Sequence, residues 1–243
     1  MSSHPESNRT YHWFMLLSRS ILFLSFQAFF ALMLWMAGKY TTWMDAARWW
    51  PVGVFLTNLV CVFLLAAMYK QEGKRFSDVF RINKSTIKSD LLALVLIFPI
   101  VGALGFFPNL LLGRWLFGDS QVALRMFIQP LPLWATIVAV FLFPITQGLA
   151  ELPTYFAFSM PRIESQTGKS WLAVGLAGFF LSLQHVFIPL IFDSRFILWR
   201  GLMFLPFALA LGIQIKWRPR LLPYMAFIHI LMDFSLAPYF LGM

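Results

Sequence analysis

The sequence is poor in charge. Of its 243 residues only 12% are Asp, Glu, Lys or Arg, while 60% are hydrophobic. A soluble domain carries about 25% charged residues, so there is too little polar surface here to cover the apolar side chains in water. Cysteine is nearly absent. The single Cys61 lies in an apolar run, which excludes a disulfide framework and reads as an inert thiol, packed or facing lipid. No small-residue cleavage site follows the first apolar run, so that run reads as a retained span and not a signal peptide. No internal repeat points to an inverted-repeat transporter. The net charge of +9 does not indicate nucleic acid, because Lys and Arg are spread between apolar segments and form no patch with readout groups beside it.

What the chain does have is long apolar runs. A spanning helix needs about 20 mainly apolar residues at ~1.5 Å rise each. Segments 14–37, 50–69, 91–112, 132–158, 171–192, 196–215 and 221–240 meet that length. The moderately apolar stretch 113–131 predicts a re-entrant or interfacial helix, an eighth element. The expected fold is all-α, a polytopic transmembrane helical bundle of about seven or eight spans. Residues 1–13 read as a cytoplasmic tail, of which Met1–Thr10 is polar and expected to be disordered. Residues 14–131 hold the first helices and a basic loop, and 132–240 hold the helices that carry buried polar groups. Trp35, Trp43, Trp49, Trp50, Trp134, Trp171 and Trp217 stand at segment ends, as an interfacial belt requires.

Alternate loops differ in basic residues. One set holds Arg9, Arg19, Lys70, Lys74, Arg75, Arg81, Lys84, Lys88, Arg162, Lys169, Lys216, Arg218 and Arg220. The other holds Lys39, Arg48, Arg114, Arg125, Arg195 and Arg200, completing the nineteen. The positive-inside rule then predicts a cytoplasmic N-terminus and an external C-terminus.

Polar groups inside the spans are few. Of ten acidic residues only Glu151 and Asp233 fall well inside a span, and of four histidines only His185 and His229 are deep. Counted inward from the predicted cytoplasmic ends, Glu151 and His229 lie ~12 Å deep, Asp233 ~18 Å and His185 ~21 Å. These depths predict a shared cavity reached from the cytoplasm. An ionisable group in a bilayer costs at least about 2.5 kcal/mol on insertion scales, so four together invite a functional reading. His229 and Asp233 share one helical face at i, i+4. Pro144 and Pro153 bracket the polar stretch Thr146–Glu151, predicting a kinked helix around a polar cavity. Gln147 and Gln184 are candidates to line it, whereas Gln214 reads as an interhelical hydrogen-bonding group.

Three ordered segments carry a family resemblance: Ala150-Glu151-Leu152-Pro153-Thr154-Tyr155-Phe156, Leu181-Ser182-Leu183-Gln184-His185, and His229-Ile230-Leu231-Met232-Asp233. They resemble the CPBP family of intramembrane proteases (CAAX protease and bacteriocin-processing, also called Abi). Its pattern is E-E-x-x-x-R on one helix, F-x-x-x-H on the next and H-x-x-x-D/N on a later one. The resemblance covers roughly residues 132–240. The first motif departs from the pattern, having one Glu and no Arg, and the Phe before His185 is Phe180, one place early. In one register Ala150-Glu151 replaces the pair and Tyr155 stands at the Arg position. In the other, preferred because it also aligns Pro161-Arg162, Glu151 leads and Phe156 replaces Arg.

The resemblance implies a CPBP-like catalytic core over 132–240 in an integral protein of a bacterial plasma membrane. It implies hydrolysis of a peptide bond in a membrane-associated protein or peptide precursor, prenylated in part of the family, with membrane lipid as surroundings. On that basis Glu151 is the expected general base and His185 holds the same water. His229 and Asp233 would position or stabilise the tetrahedral intermediate. In a zinc variant His185 and His229 would be metal ligands beside a carboxylate and water, although no HExxH helix is present. The altered first motif suits a non-catalytic immunity or scaffold protein as well. The buried carboxyls and imidazoles suit a proton-coupled transporter.

Overall fold

The computed structural model describes residues 11–241; the segment 1–10, read as a disordered tail, lies outside them. The helices in chain order are α1 (Tyr11–Met36), α2 (Thr42–Ala47), α3 (Trp50–Gln71), α4 (Ile87–Phe117) and α5 (Ser120–Phe127). They are followed by α6 (Leu133–Ile137), α7 (Phe143–Leu152), α8 (Met160–Thr167) and α9 (Ser170–Gln184). The chain closes with α10 (Ser194–Met203), α11 (Leu205–Trp217), α12 (Leu222–Phe234) and α13 (Ala237–Leu241). No strand occurs among the described residues.

Seven helical segments among the described residues are long and apolar enough to cross a membrane: Tyr11–Met36, Trp50–Gln71, Ile87–Phe117, Leu133–Thr167, Ser170–Phe187, Ser194–Trp217 and Pro219–Leu241. The chain is an all-α polytopic integral membrane protein. The stretch 113–131 holds a short separate helix, as expected, and no further span. Here α4 continues to Phe117 and stops where Gly118 turns left-handed, its N–H bonding the Arg114 carbonyl. Asp119 then caps the eight-residue α5, which at ~12 Å is too short to cross.

The fourth span carries the expected distortion. Wide π-helical turns occupy Val138–Leu142, before Pro144, and Pro153–Ser159, starting at Pro153. Proline removes a backbone donor, and hydroxyls partner nearby carbonyls. Thr146 Oγ1 donates to the Leu142 carbonyl at 2.7 Å, Thr154 Oγ1 to Ala150 at 2.7 Å and Ser159 Oγ to Thr154 at 2.8 Å. That is how a bilayer tolerates such turns.

Glycines set the close helix crossings. A Cβ at Gly148 of α7 would come within 2.7 Å of the Ala226 carbonyl oxygen on α12, so only glycine admits this approach. At Gly178 of α9 a Cβ would meet Leu209 of α11 at 2.9 Å. Small residues let membrane helices pack by van der Waals contact where no hydrophobic drive exists.

Three polar contacts fix the chain between α9 and α10. Gln27 of α1 donates to the Leu190 carbonyl at 2.9 Å and accepts from the Leu190 N–H at 2.8 Å, and Trp43 Nε1 donates to the same carbonyl. Asp193 caps α10 by accepting from the Arg195 and Phe196 N–H groups. The Phe196 N–H holds the Asp193 carboxyl below the usual carboxylate range, against a partial loss of solvation and with help from Arg195.

Several residues differ from their sequence-based reading. Trp50 is no belt residue: it is buried, and its Nε1 donates to the Phe127 carbonyl at 3.0 Å. Trp35, Trp134, Trp171 and Trp217 are exposed, as a belt requires. Cys61 is fully buried. Gln214 reaches only a weak acceptor, Met225 Sδ at 3.6 Å across α11 and α12. Arg19 and Arg200, counted with flanking loops, are buried inside the bundle.

Candidate active site

Four side chains singled out from the sequence meet. Glu151 comes from α7, His185 from the turn that ends α9, and His229 and Asp233 from α12. The Gly148 crossing brings α7 and α12 together, and the Leu190 clamp holds the chain beyond His185. Glu151 is almost wholly buried, with His185 Nε2 at 3.7 Å from Oε1 and His229 Nε2 at 3.1 Å from Oε2. His229 Nε2 is also 3.4 Å from Asp233 Oδ2. Neither Glu151 Oε2 nor Asp233 Oδ2 has a partner with hydrogen-bond geometry among the described residues. Buried acceptors of this kind are rare and call for a physical account.

The His185 imidazole is held from two sides. Its Nδ1 lies 2.9 Å from the Leu181 carbonyl, and the Phe204 ring packs on it with centroids 4.2 Å apart. A carbonyl only accepts, so Nδ1 carries the hydrogen. In the neutral ring Nε2 then presents a lone pair towards Glu151.

Behind Glu151 lies a polar network of which sequence reasoning singled out Gln147 and Gln184 and missed Arg19, Asn58 and Tyr155. Gln184 donates from Nε2 to Glu151 Oε1. Its amide oxygen accepts from Arg19 Nε at 2.6 Å and from the Tyr155 hydroxyl at 3.2 Å. Arg19 also donates to Asn58 Oδ1 at 2.8 Å and to Gln147 Oε1 at 2.9 Å. A fully buried guanidinium thus stands behind the carboxylate, one amide away. The available signal was position alone: Arg19 falls inside the predicted first span, not before it. Arg200 is the second such case, donating to the carbonyls of His185 and Ile188.

Glu151, His185, His229 and Asp233 line a cavity of about 400 Å³. Gln147 and Arg200 share its wall. Most of the rest is apolar, including Phe106, Met203, Phe204, Phe207 and Met232. Most of the remaining lining residues, among them Trp50, Leu124, Phe127, Ile188 and Leu236, come from the half of the bundle that carries α5 and the end of α12. A cavity reached from the basic-loop end was expected; the placement is the reverse. Among the described residues no three of His, Cys, Asp and Glu are arranged to hold a metal ion, so the donors do not fit a zinc centre.

No family model, curated protein or solved structure matches the chain. The site's geometry therefore has to support any functional reading by itself, the resemblance to the CPBP pattern included.

Arg162, aligned above with a family Pro-Arg, is placed away from this cavity. Its guanidinium bonds Glu72 at the end of α3 and stacks on Phe158 at 3.8 Å, clamping the basic end of the bundle.

Proposed function

We propose that the protein is an intramembrane endopeptidase of the CPBP type, hydrolysing a peptide bond in a membrane-associated protein or peptide precursor. One observation carries the reading: the two oxygens of a buried glutamate at a cavity wall each face an imidazole nitrogen from a different helix. Neutral His185 Nε2 and Glu151 Oε1 are both acceptors, so a water donating one hydrogen to each fits between them. Glu151 removes a proton as the water oxygen attacks the substrate carbonyl carbon, acting as general base. The proton then passes to the leaving amine as the C–N bond breaks. His229, whose Nε2 lies between Glu151 and Asp233, is the donor assigned to the developing oxyanion. Gln184 and Arg19 hold Glu151 in place as positioning residues.

The same reading gives a protein of a bacterial plasma membrane with its N-terminus cytoplasmic, and the loop charges support that orientation. Once Arg19 and Arg200 are removed as buried groups, the loop imbalance keeps the same sign. A comparison of membrane proteomes from cells carrying wild type and Glu151→Gln tests the activity. The expected result is a precursor that accumulates and a product that disappears in the variant. Identical proteomes would overturn the assignment and leave the binding-only reading.

A further inference from the structure

The walls of the cavity differ in what closes them. Beneath Glu151, towards the basic loops, Tyr155, Phe156, Met160, Leu211 and Leu222 belong to one buried apolar cluster; a second cavity of about 310 Å³ lies there, with Phe156, Met160 and Leu222 on its wall, and it shares no lining residue with the first. At the other end α5 forms a roof, held by the Trp50–Phe127 hydrogen bond, with the Trp50 ring against Phe240 at 5.7 Å. The side between α4 and α12 is different. Phe106 of α4 is 61% exposed and Met232 of α12 is 45% exposed, yet both line the same cavity as the buried Glu151. At Gly102, also on that wall, a Cβ would meet nothing within 4 Å. Phe106 lies ~29 Å along α4 from Ile87 but only ~17 Å from Phe117, which places the opening in the half away from the 70–90 loop.

We propose that the substrate enters sideways between α4 and α12, from the half of the bilayer opposite the basic loops, as an apolar segment of a membrane-borne polypeptide. The nature of the occupant rests on the protease reading; the route does not. An opening edged by Phe106, Met232 and Gly102 offers no charge to a hydrated ligand. The polar groups further in supply hydrogen bonds for a backbone that arrives from lipid, where unsatisfied amides are costly. With the basic loops cytoplasmic, the segments served are those in the outer half of the membrane.

The test uses the chain's single cysteine. Cys61→Ala gives a cysteine-free background, and Met203→Cys places a buried thiol on the cavity wall. In membranes, N-phenylmaleimide should label Met203→Cys. Adding Gly102→Phe should slow labelling by about tenfold, the factor produced by ~1.4 kcal/mol of added barrier, while Gly102→Ala should not. Equal rates with Gly102→Phe would overturn the opening. If Gly102→Phe does not fold, Gly102→Leu carries the same comparison. Separately, Ser235→Cys and Lys74→Cys, both exposed, are treated with an impermeant charged maleimide in sealed vesicles of each orientation. Ser235→Cys should react from the external face and Lys74→Cys from the cytoplasmic face. Reaction of both from one face, or the reverse pattern, would overturn the assignment to the outer half. None of these measurements needs proteolysis, so failure of the route and failure of the protease reading are told apart.

Discussion

An arginine held entirely by neutral amides in an apolar bundle is costly to place and costly to disturb. Arg19 donates to Gln184, Asn58 and Gln147, and each buried acceptor stripped of its donor costs about 1–3 kcal/mol. Arg19→Met should therefore lower the melting temperature in detergent sharply. Arg19→Lys keeps the charge but not the fork of donors, so processing should fall further than stability does. Equal, small effects on both would show that the network does not position Glu151. The ionisable residues of the site were legible because each is expensive in lipid and because their order along the chain matched a pattern. Gln184 was legible only as a cavity candidate, since an amide in a span ordinarily joins helices.

At the scale of elements, crossings decide whether these residues meet. Gly148 lets α7 and α12 approach until Glu151 and His229 are 3.1 Å apart. Gly148→Ala should cost about 1–3 kcal/mol by overpacking, read as a lower melting temperature, and should also abolish processing by separating the two side chains. Retained full activity would show that the crossing is not needed. Asp193 caps α10, the helix that carries Arg200, and Asp193→Ala should cost about 1 kcal/mol. Because the folded-state carboxyl titrates below its ordinary value, its contribution is complete above the ordinary carboxylate range. It is lost as pH falls through the depressed value. The melting-temperature difference between wild type and Asp193→Ala should shrink over that fall. Prolines 144 and 153 marked the fourth span as distorted, but the hydroxyl–carbonyl bonds that accommodate the turns became visible only in three dimensions.

For the whole molecule, the basic loops lie at one end and the cavity lies in the other half. Processing should survive EDTA, because the donors do not form a metal-holding group among the described residues; loss of activity restored by zinc would reverse that expectation. The cavity was expected on the cytoplasmic side because depth was counted along each helix from its basic end. Axial depth does not say which side of a residue is packed. The cluster containing Phe156, Met160 and Leu222 separates Glu151 from the cavity at the basic-loop end, and no single helix shows that.

Composition and run length alone determined an all-α membrane bundle, since a chain with 12% charged residues cannot be covered by water and must satisfy its backbone within helices. The scarcity of ionisable groups in the spans likewise singled out Glu151, His185, His229 and Asp233. Tertiary structure decided that they converge, that Arg19 and Gln184 stand behind the glutamate, and on which side the cavity lies. Those outcomes depend on helix crossings and side-chain direction. Both are set by contacts between residues far apart in the chain, which local periodicity and cost do not encode.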